Sequence, residues 1–260
     1  MNTYRTPDSE SAATPTQGQG AKGRIHTIFT KAWRWAKKIF VVLFAAQLVY
    51  IVLLRWVDPP ITATQLASWI EGHGLKRDYV DWNEMAPEIK LAVIASEDQL
   101  FPDHNGFDWK SIETVLKGKK KTKRLRGAST ISQQVAKNVF LWQGRSWLRK
   151  GLEVYFTFMI ELVWGKKRIL EVYLNVAEMG KGVFGIEAAA RKYFKKSAAK
   201  LNRTQAAMIA ACLPNPKKYV VNPPSKYINR RYPWILGQMN NLEGDEEIEA
   251  LIRPAKKKAK

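Results

Sequence analysis

An apolar run from Ile39 to Leu54, IFVVLFAAQLVYIVLL, limits this chain's possible folds more than any other feature. Gln47 is its one strongly polar interruption, and Trp56-Val57 extend it past Arg55. It reaches the lower end of the roughly 17–25 residues that cross a hydrocarbon core. Trp33, Trp35, Tyr50 and Trp56 sit where amphipathic rings favour a membrane interface. Lys31, Arg34, Lys37 and Lys38 precede the run, whereas Arg55 and Asp58 nearly cancel after it. Positive charge stays inside, so the N-terminus is expected in the cytoplasm and everything beyond Asp58 outside. We read residues 36–57 as one uncleaved transmembrane helix. A cleaved signal peptide is the competing reading, but no small-residue cleavage pattern precedes Asp58-Pro59-Pro60. A helix buried in a soluble core is the third.

The formal net charge is +20, concentrated in blocks such as Lys117–Arg126 and Pro254–Lys260. Such an excess attracts polyanions: nucleic acid, anionic lipid headgroups or a phosphorylated substrate. For any single block a solvated charged face is the usual reading. Cys212 is the only cysteine, which excludes an intramolecular disulfide. With three histidines beside it, no His/Cys metal constellation is visible.

Residues 1–30 are expected to be a disordered cytoplasmic tail, since Ser, Thr, Gln, Gly and Pro dominate its first 24 positions. Asp58-Pro59-Pro60 marks a turn. Hydrophobic periodicity and end signals then predict helices over 64–71, 85–98, 108–117, 130–140, 146–164, 166–178, 186–194 and 204–213. Strand-like alternation is scarce and no repeat is present. A mainly α domain over 58–242 follows, with 243–260 as a charged C-terminal tail.

Chemistry concentrates in two stretches. In the first, Ser96 to Asp108, an apolar helix ends on a group of ionisable side chains. Glu97 is the leading candidate for a reactive group, because partial burial at a helix end raises a carboxyl toward the range useful for proton transfer. Its ordinary alternative is a solvated surface carboxylate. His104 is either a base or ligand, or a hydrogen-bond partner fixing its Pro/Asn/Gly loop. The second stretch, Gly127 to Asn138, sets hydroxyls, amides and a lysine along a helix start. Thr130 and Gln133 fit the capping box. Gln133 and Lys137 share one helix face, as do Gln134 and Asn138. Glu153 lies four residues after Arg149, a spacing that an ordinary helical ion pair explains by itself. The further cations Lys137, Arg145 and Lys150 suit a phosphate or pyrophosphate. Phe140, Trp142, Trp147, Leu148, Phe156 and Phe158 surround them, either as core or as a surface dipping into a bilayer.

At these residues the chain resembles the bacterial peptidoglycan glycosyltransferase domain, glycosyltransferase family 51, in its monofunctional biosynthetic form. Five blocks agree in order: Glu97-Asp98 with Phe101, His104 and Gly106; Gly127 with Ser129-Thr130-Ile131, Gln133-Gln134 and Lys137-Asn138; Arg149-Lys150 with Glu153; Ile169-Leu170-Glu171 with Tyr173-Leu174-Asn175; and Ala211 with Leu213 to Pro216. Gly180 to Phe194 is also family-like. The resemblance implies a mainly helical, lysozyme-like fold with a membrane-apposed jaw. It implies polymerisation of lipid II into linear glycan strands, with Glu97 as general base and Glu153 as a second essential carboxylate. Phe101, His104, Ser129, Thr130, Gln133, Gln134, Lys137, Asn138, Arg145, Arg149 and Lys150 would hold substrate. Glu171 and Asn175 would be architectural. No cofactor is required, although Glu153 could hold a divalent cation, Mg or Mn. Implied partners are lipid II, the lipid-linked glycan strand, membrane lipids and other cell-wall synthesis or division proteins, not nucleic acid. The implied place is the bacterial inner membrane, with a periplasmic catalytic domain. Too few residues follow Pro216 for the transpeptidase domain that many relatives carry, and Ser197-Ala-Ala-Lys200 reads as coincidence. A cell-wall hydrolase, which shares the two-carboxylate logic, and a non-enzymatic polyanion binder are the alternatives.

Overall fold

The apolar run folds within one long helix, α1 (Gln19–Leu53), whose stretch Thr30–Leu53 is long and apolar enough to cross a membrane. α1 starts inside the segment expected to be disordered to residue 30. Beyond Pro15 no proline interrupts it, and a formed helix propagates more readily than it nucleates. The computed structural model describes residues 19–109, 113 and 129–253. Most of the helix expected over 108–117 and the two basic blocks lie outside the described residues, as do residues 1–18. Tertiary contacts divide the chain into Met1–Tyr50 and Ile51–Lys260.

The second unit carries everything that follows. Thr62 and Gln65 form a reciprocal capping box at the start of α2 (Ala63–Ile70). After the short strand β1 (Lys76–Arg77) comes α3 (Pro87–Glu97), with its proline in the first turn. Every residue of α3 from Ile89 to Ala95 is buried, so this helix runs through the core with no wet face. Even Lys90 is buried: its Nζ donates to Trp82 O at 2.8 Å and stands 4.0 Å from the Trp82 ring centroid. Burial, with help from Lys167, pulls its pKa down to about 8.

α4 (Ile131–Phe140), α5 (Trp147–Val163) and α6 (Gly165–Val176) pack on one another beside the core. The strands β2 (Glu178–Gly180) and β3 (Val183–Phe184) pair antiparallel, and β1 joins β3 in parallel. α7 (Ile186–Phe194) and α8 (Arg203–Cys212) follow, the latter opened by an Asn202–Gln205 capping box. α9 (Lys226–Leu242) lies across α3 and α8 and runs through Pro233. The segment read as a charged tail from residue 243 contains a packed helix, α10 (Glu246–Ile252). Asp245 caps it by accepting from the Glu247 and Ile248 amides, and Ile248 and Ile252 are buried.

α6 also fastens the chain entering α3. Asn175 donates to Val80 O at 3.0 Å and accepts from Val80 N at 3.2 Å, while Glu171 accepts from Trp82 N at 2.8 Å. Gly185 closes against this helix with φ 84°. A Cβ there would stand 2.6 Å from Asn175 O, a backbone atom that cannot step aside. Gly185→Ala is expected to cost about 1–3 kcal/mol. That would lower the melting temperature by roughly 2–4 °C per kcal/mol, read by thermal unfolding.

Candidate active site

Glu97 ends α3 half-buried, and Asp98 beside it is buried. The two neighbouring carboxylates meet different surroundings. Asp98 accepts from the Ile131 amide at 2.9 Å, at the N-terminus of α4, where the helix dipole favours negative charge. It also accepts from His104 Nε2 at 2.9 Å. Since the Gly106 amide donates to His104 Nδ1 at 3.2 Å, the hydrogen-bond network assigns the ring proton to Nε2. His104 therefore fixes its loop to Asp98 rather than standing open as a base.

Glu97 instead accepts one hydrogen bond, from Gln134 Nε2 at 2.9 Å, and Gln134 is held in turn by the Tyr173 hydroxyl at 3.2 Å. Burial raises the Glu97 carboxyl above the ordinary glutamate value. The Gln134 bond and the charges of Arg231 and Lys137 oppose the rise, and Asp98 adds to it. Tyr173, also buried, is pushed well up and stays a hydroxyl donor.

The second carboxylate, Glu153, is buried on α5. Arg149 Nη1 donates to it at 2.8 Å, and Lys150 donates to its other oxygen. Arg149 Nε is buried and finds no hydrogen-bond partner among the described residues, an open donor of the kind native interiors rarely leave. Lys137 lies within electrostatic reach of both carboxylates. Burial pulls its pKa below the ordinary lysine value, and Glu153 opposes this most strongly. Arg149 and Lys150 add to the pull, while Glu97 opposes it. Arg145 is exposed just before α5.

The sequence candidates divide by placement. Glu97, Gln134 and Lys137 gather, and Lys137 links them to Arg149, Lys150 and Glu153. Phe101 is instead fully buried, beneath Lys166 Nζ and edge-on to His104, so its ring supports the loop from inside. Thr130 and Gln133 are buried and engaged in the capping box, and the Thr130 hydroxyl also donates to Gly106 O at 2.7 Å. Asn138 accepts weakly from Thr64 on α2, at 3.4 Å. Ser129 is exposed at the entry to α4. Sequence reasoning missed Tyr173 as the residue orienting Gln134, and Arg231 on α9. It also missed the Ser132–Glu161–Lys166 cluster, in which Ser132 donates to Glu161 at 2.5 Å and Lys166 ties Glu161 to His104 O.

The residues around Glu153 do not fit a divalent cation. Both its oxygens are already engaged by basic side chains, and no group of three or more His, Cys, Asp or Glu side chains suited to a metal gathers among the described residues.

A family model described as "Transglycosylase" matches residues 63–240, from the start of α2 almost to the end of α9. A biosynthetic peptidoglycan transglycosylase of Yersinia pestis (strain Pestoides F) is 49% identical over 224 residues, 83% of this chain and 93% of the relative. A protein of the same name from Pseudomonas aeruginosa PAO1 is 50% identical over 215 residues, 80% and 93% of the two chains. One from Pectobacterium carotovorum is 48% identical over 228 residues. Fold and likeness define the class: a lysozyme-like, mainly helical glycosyltransferase. The chain belongs to the transglycosylase family, and within it to the peptidoglycan transglycosylases.

Proposed function

We propose that the chain polymerises lipid II into linear glycan strands at the outer face of the bacterial inner membrane. Glu97 takes the proton of the acceptor's sugar 4-hydroxyl as that oxygen attacks the anomeric carbon of the lipid-linked strand. The new C–O bond forms with inversion, the bond to pyrophosphate breaks, and its electron pair leaves with undecaprenyl pyrophosphate. Lys137, Arg145, Arg149 and Lys150 receive the departing charge. The observation that carries this reading is the buried, unpartnered Arg149 Nε inside a cation group that Lys137 connects to Glu97. Glu153 keeps those cations in place between turnovers.

The outer face of α5 supports a membrane-apposed jaw. Trp147, Leu148, Phe158 and Leu162 are each more than half exposed, whereas Glu153, Thr157 and Ile160 face inward. A contiguous apolar face of this kind beside an anionic-ligand site suits a bilayer surface. Trp69 and Ile70 on α2 extend the apolar exposure. Lys31, Arg34, Lys37 and Lys38 ahead of the apolar run, against the near balance of Arg55 and Asp58 after it, support an N-terminus inside and a catalytic domain outside.

The test is release of undecaprenyl pyrophosphate from lipid II, followed across pH. One pyrophosphate per disaccharide added is expected, and no release would overturn the reading. The base must be ionised to work, and burial raises Glu97. Activity should therefore fall, as pH drops, with a midpoint above the ~4.3 of an ordinary glutamate. A midpoint at or below that value would remove Glu97 from the role.

A further inference from the structure

We propose that the point where the chain leaves α1 is a built part of the catalytic unit, and that Arg168 and Trp164 are positioning residues holding the site at the depth of a bilayer-embedded substrate. The proposal rests on the lipid-linked substrate argued above.

The second unit begins at Ile51, not after the helix. Ile51 and Leu54 are 0% and 1% exposed, whereas Trp56 and Val57 point outward. Carbonyls at a helix C-terminus need partners. Here the turn after Leu53 serves only some of them: Arg55 N donates to Val52 O, and Trp56 N and Val57 N donate to Leu53 O. Side chains from the corner between α5 and α6 serve the others. Trp164 Nε1 donates to Ile51 O at 2.8 Å. Arg168 Nε donates to Leu54 O at 3.1 Å and Nη2 to Val57 O at 2.9 Å, with Asp58 Oδ1 forming an ion pair at 2.9 Å.

The remaining arm of the same guanidinium, Nη1, donates to Glu171 Oε2 at 2.9 Å. The other Glu171 oxygen accepts from Trp82 N, just ahead of α3, whose last residue is Glu97. Arg168 thus joins the exit segment, α6 and the approach to the candidate base through one rigid fork, which lysine cannot reproduce. A loose tether would need none of these contacts. The clamp matters because the donor and acceptor are fixed at the membrane surface. The site must meet them at their height, and misplacement by about 1 Å can cost on the order of 10²-fold in rate.

Arg168→Ala, Arg168→Lys and Trp164→Phe in the full-length chain separate this role from general stability. Each is assayed on full-length lipid II embedded in vesicles and on a short-chain, water-soluble lipid II analogue. Arg168→Ala and Arg168→Lys should lose on the order of 10–100-fold on the embedded substrate. On the soluble analogue they should stay within about threefold of wild type. Trp164→Phe, which keeps a ring in place and removes only the donor to Ile51 O, should move the same way by less and carries the test if the arginine variants misfold. Equal losses on both substrates, or none on either, overturn the proposal. Hydrogen exchange at the Arg55, Trp56 and Val57 amides reads the clamp without activity. Faster exchange in the Arg168 variants supports it, and unchanged exchange overturns it. Wild-type protein that shows the protection yet makes no glycan would sink the lipid II reading while leaving the clamp.

Discussion

Glu97→Gln should lower glycan synthesis by about 10²–10⁴-fold, the range that a lost general base typically costs, while lipid II affinity stays near wild type. The amide oxygen can still accept from Gln134, so Tyr173, Gln134 and the end of α3 should hold their places. Stability should not fall either. A carboxyl whose pKa is raised by folding stabilises the fold below its unfolded pKa, and that contribution is lost as pH rises through the folded value. At neutral pH, above the unfolded value, the raised carboxyl therefore opposes folding, and an uncharged isostere relieves it. The expected variant is inactive, binds substrate and melts at or above the wild-type temperature, measured by turnover, equilibrium binding and thermal unfolding. Near-wild-type turnover would show that another group takes the proton.

Glu153→Ala is expected to damage fold and activity together. Removing one partner of a buried ion pair typically costs about 3–5 kcal/mol, because the other charge is left uncompensated. Here the lower end applies, since the Lys150 side chain is 44% exposed and can turn to water, whereas Arg149 is 12% exposed and cannot easily do so. Lys137 would suffer as well, because Glu153 is the strongest influence keeping it protonated. The melting temperature should drop by roughly 2–4 °C per kcal/mol lost. Added inorganic pyrophosphate should restore more of it in the variant than in wild type, with the anion standing where the carboxylate stood. Unchanged melting would mean that Glu153 does not hold the cation group together.

Most of the helical fold was legible because its ends are written in local chemistry. Thr130 with Gln133 announces α4, Pro87 opens α3, and Ser146 and Gly165 bracket α5. The same caps at Thr62 and Asn202 carried an equal signal. α9 was hidden by Pro233, which as a rule ends or kinks a helix. α10 was hidden by its charge: Glu246, Glu247 and Glu249 read as tail, although Asp245 is a helix cap and Ile248 and Ile252 share one face.

The site was legible as a set of residue types but not as a division of labour. Thr130 and Gln133 have the same chemistry whether they cap a helix or hold a sugar, and sequence spacing cannot separate the two. Phe101, which the resemblance puts among the substrate-holding residues, is placed in the core by its burial. Tyr173, Arg231 and Arg168 act on residues tens of positions away in sequence, so no local pattern reveals their contacts.

The most direct measurement is incubation of the purified protein with labelled lipid II, resolving the products with and without moenomycin, the family's inhibitor. The expected result is moenomycin-sensitive glycan polymer that a muramidase digests. Cleavage of finished peptidoglycan with no polymer formed from lipid II would contradict the account and make the same two carboxylates those of a hydrolase.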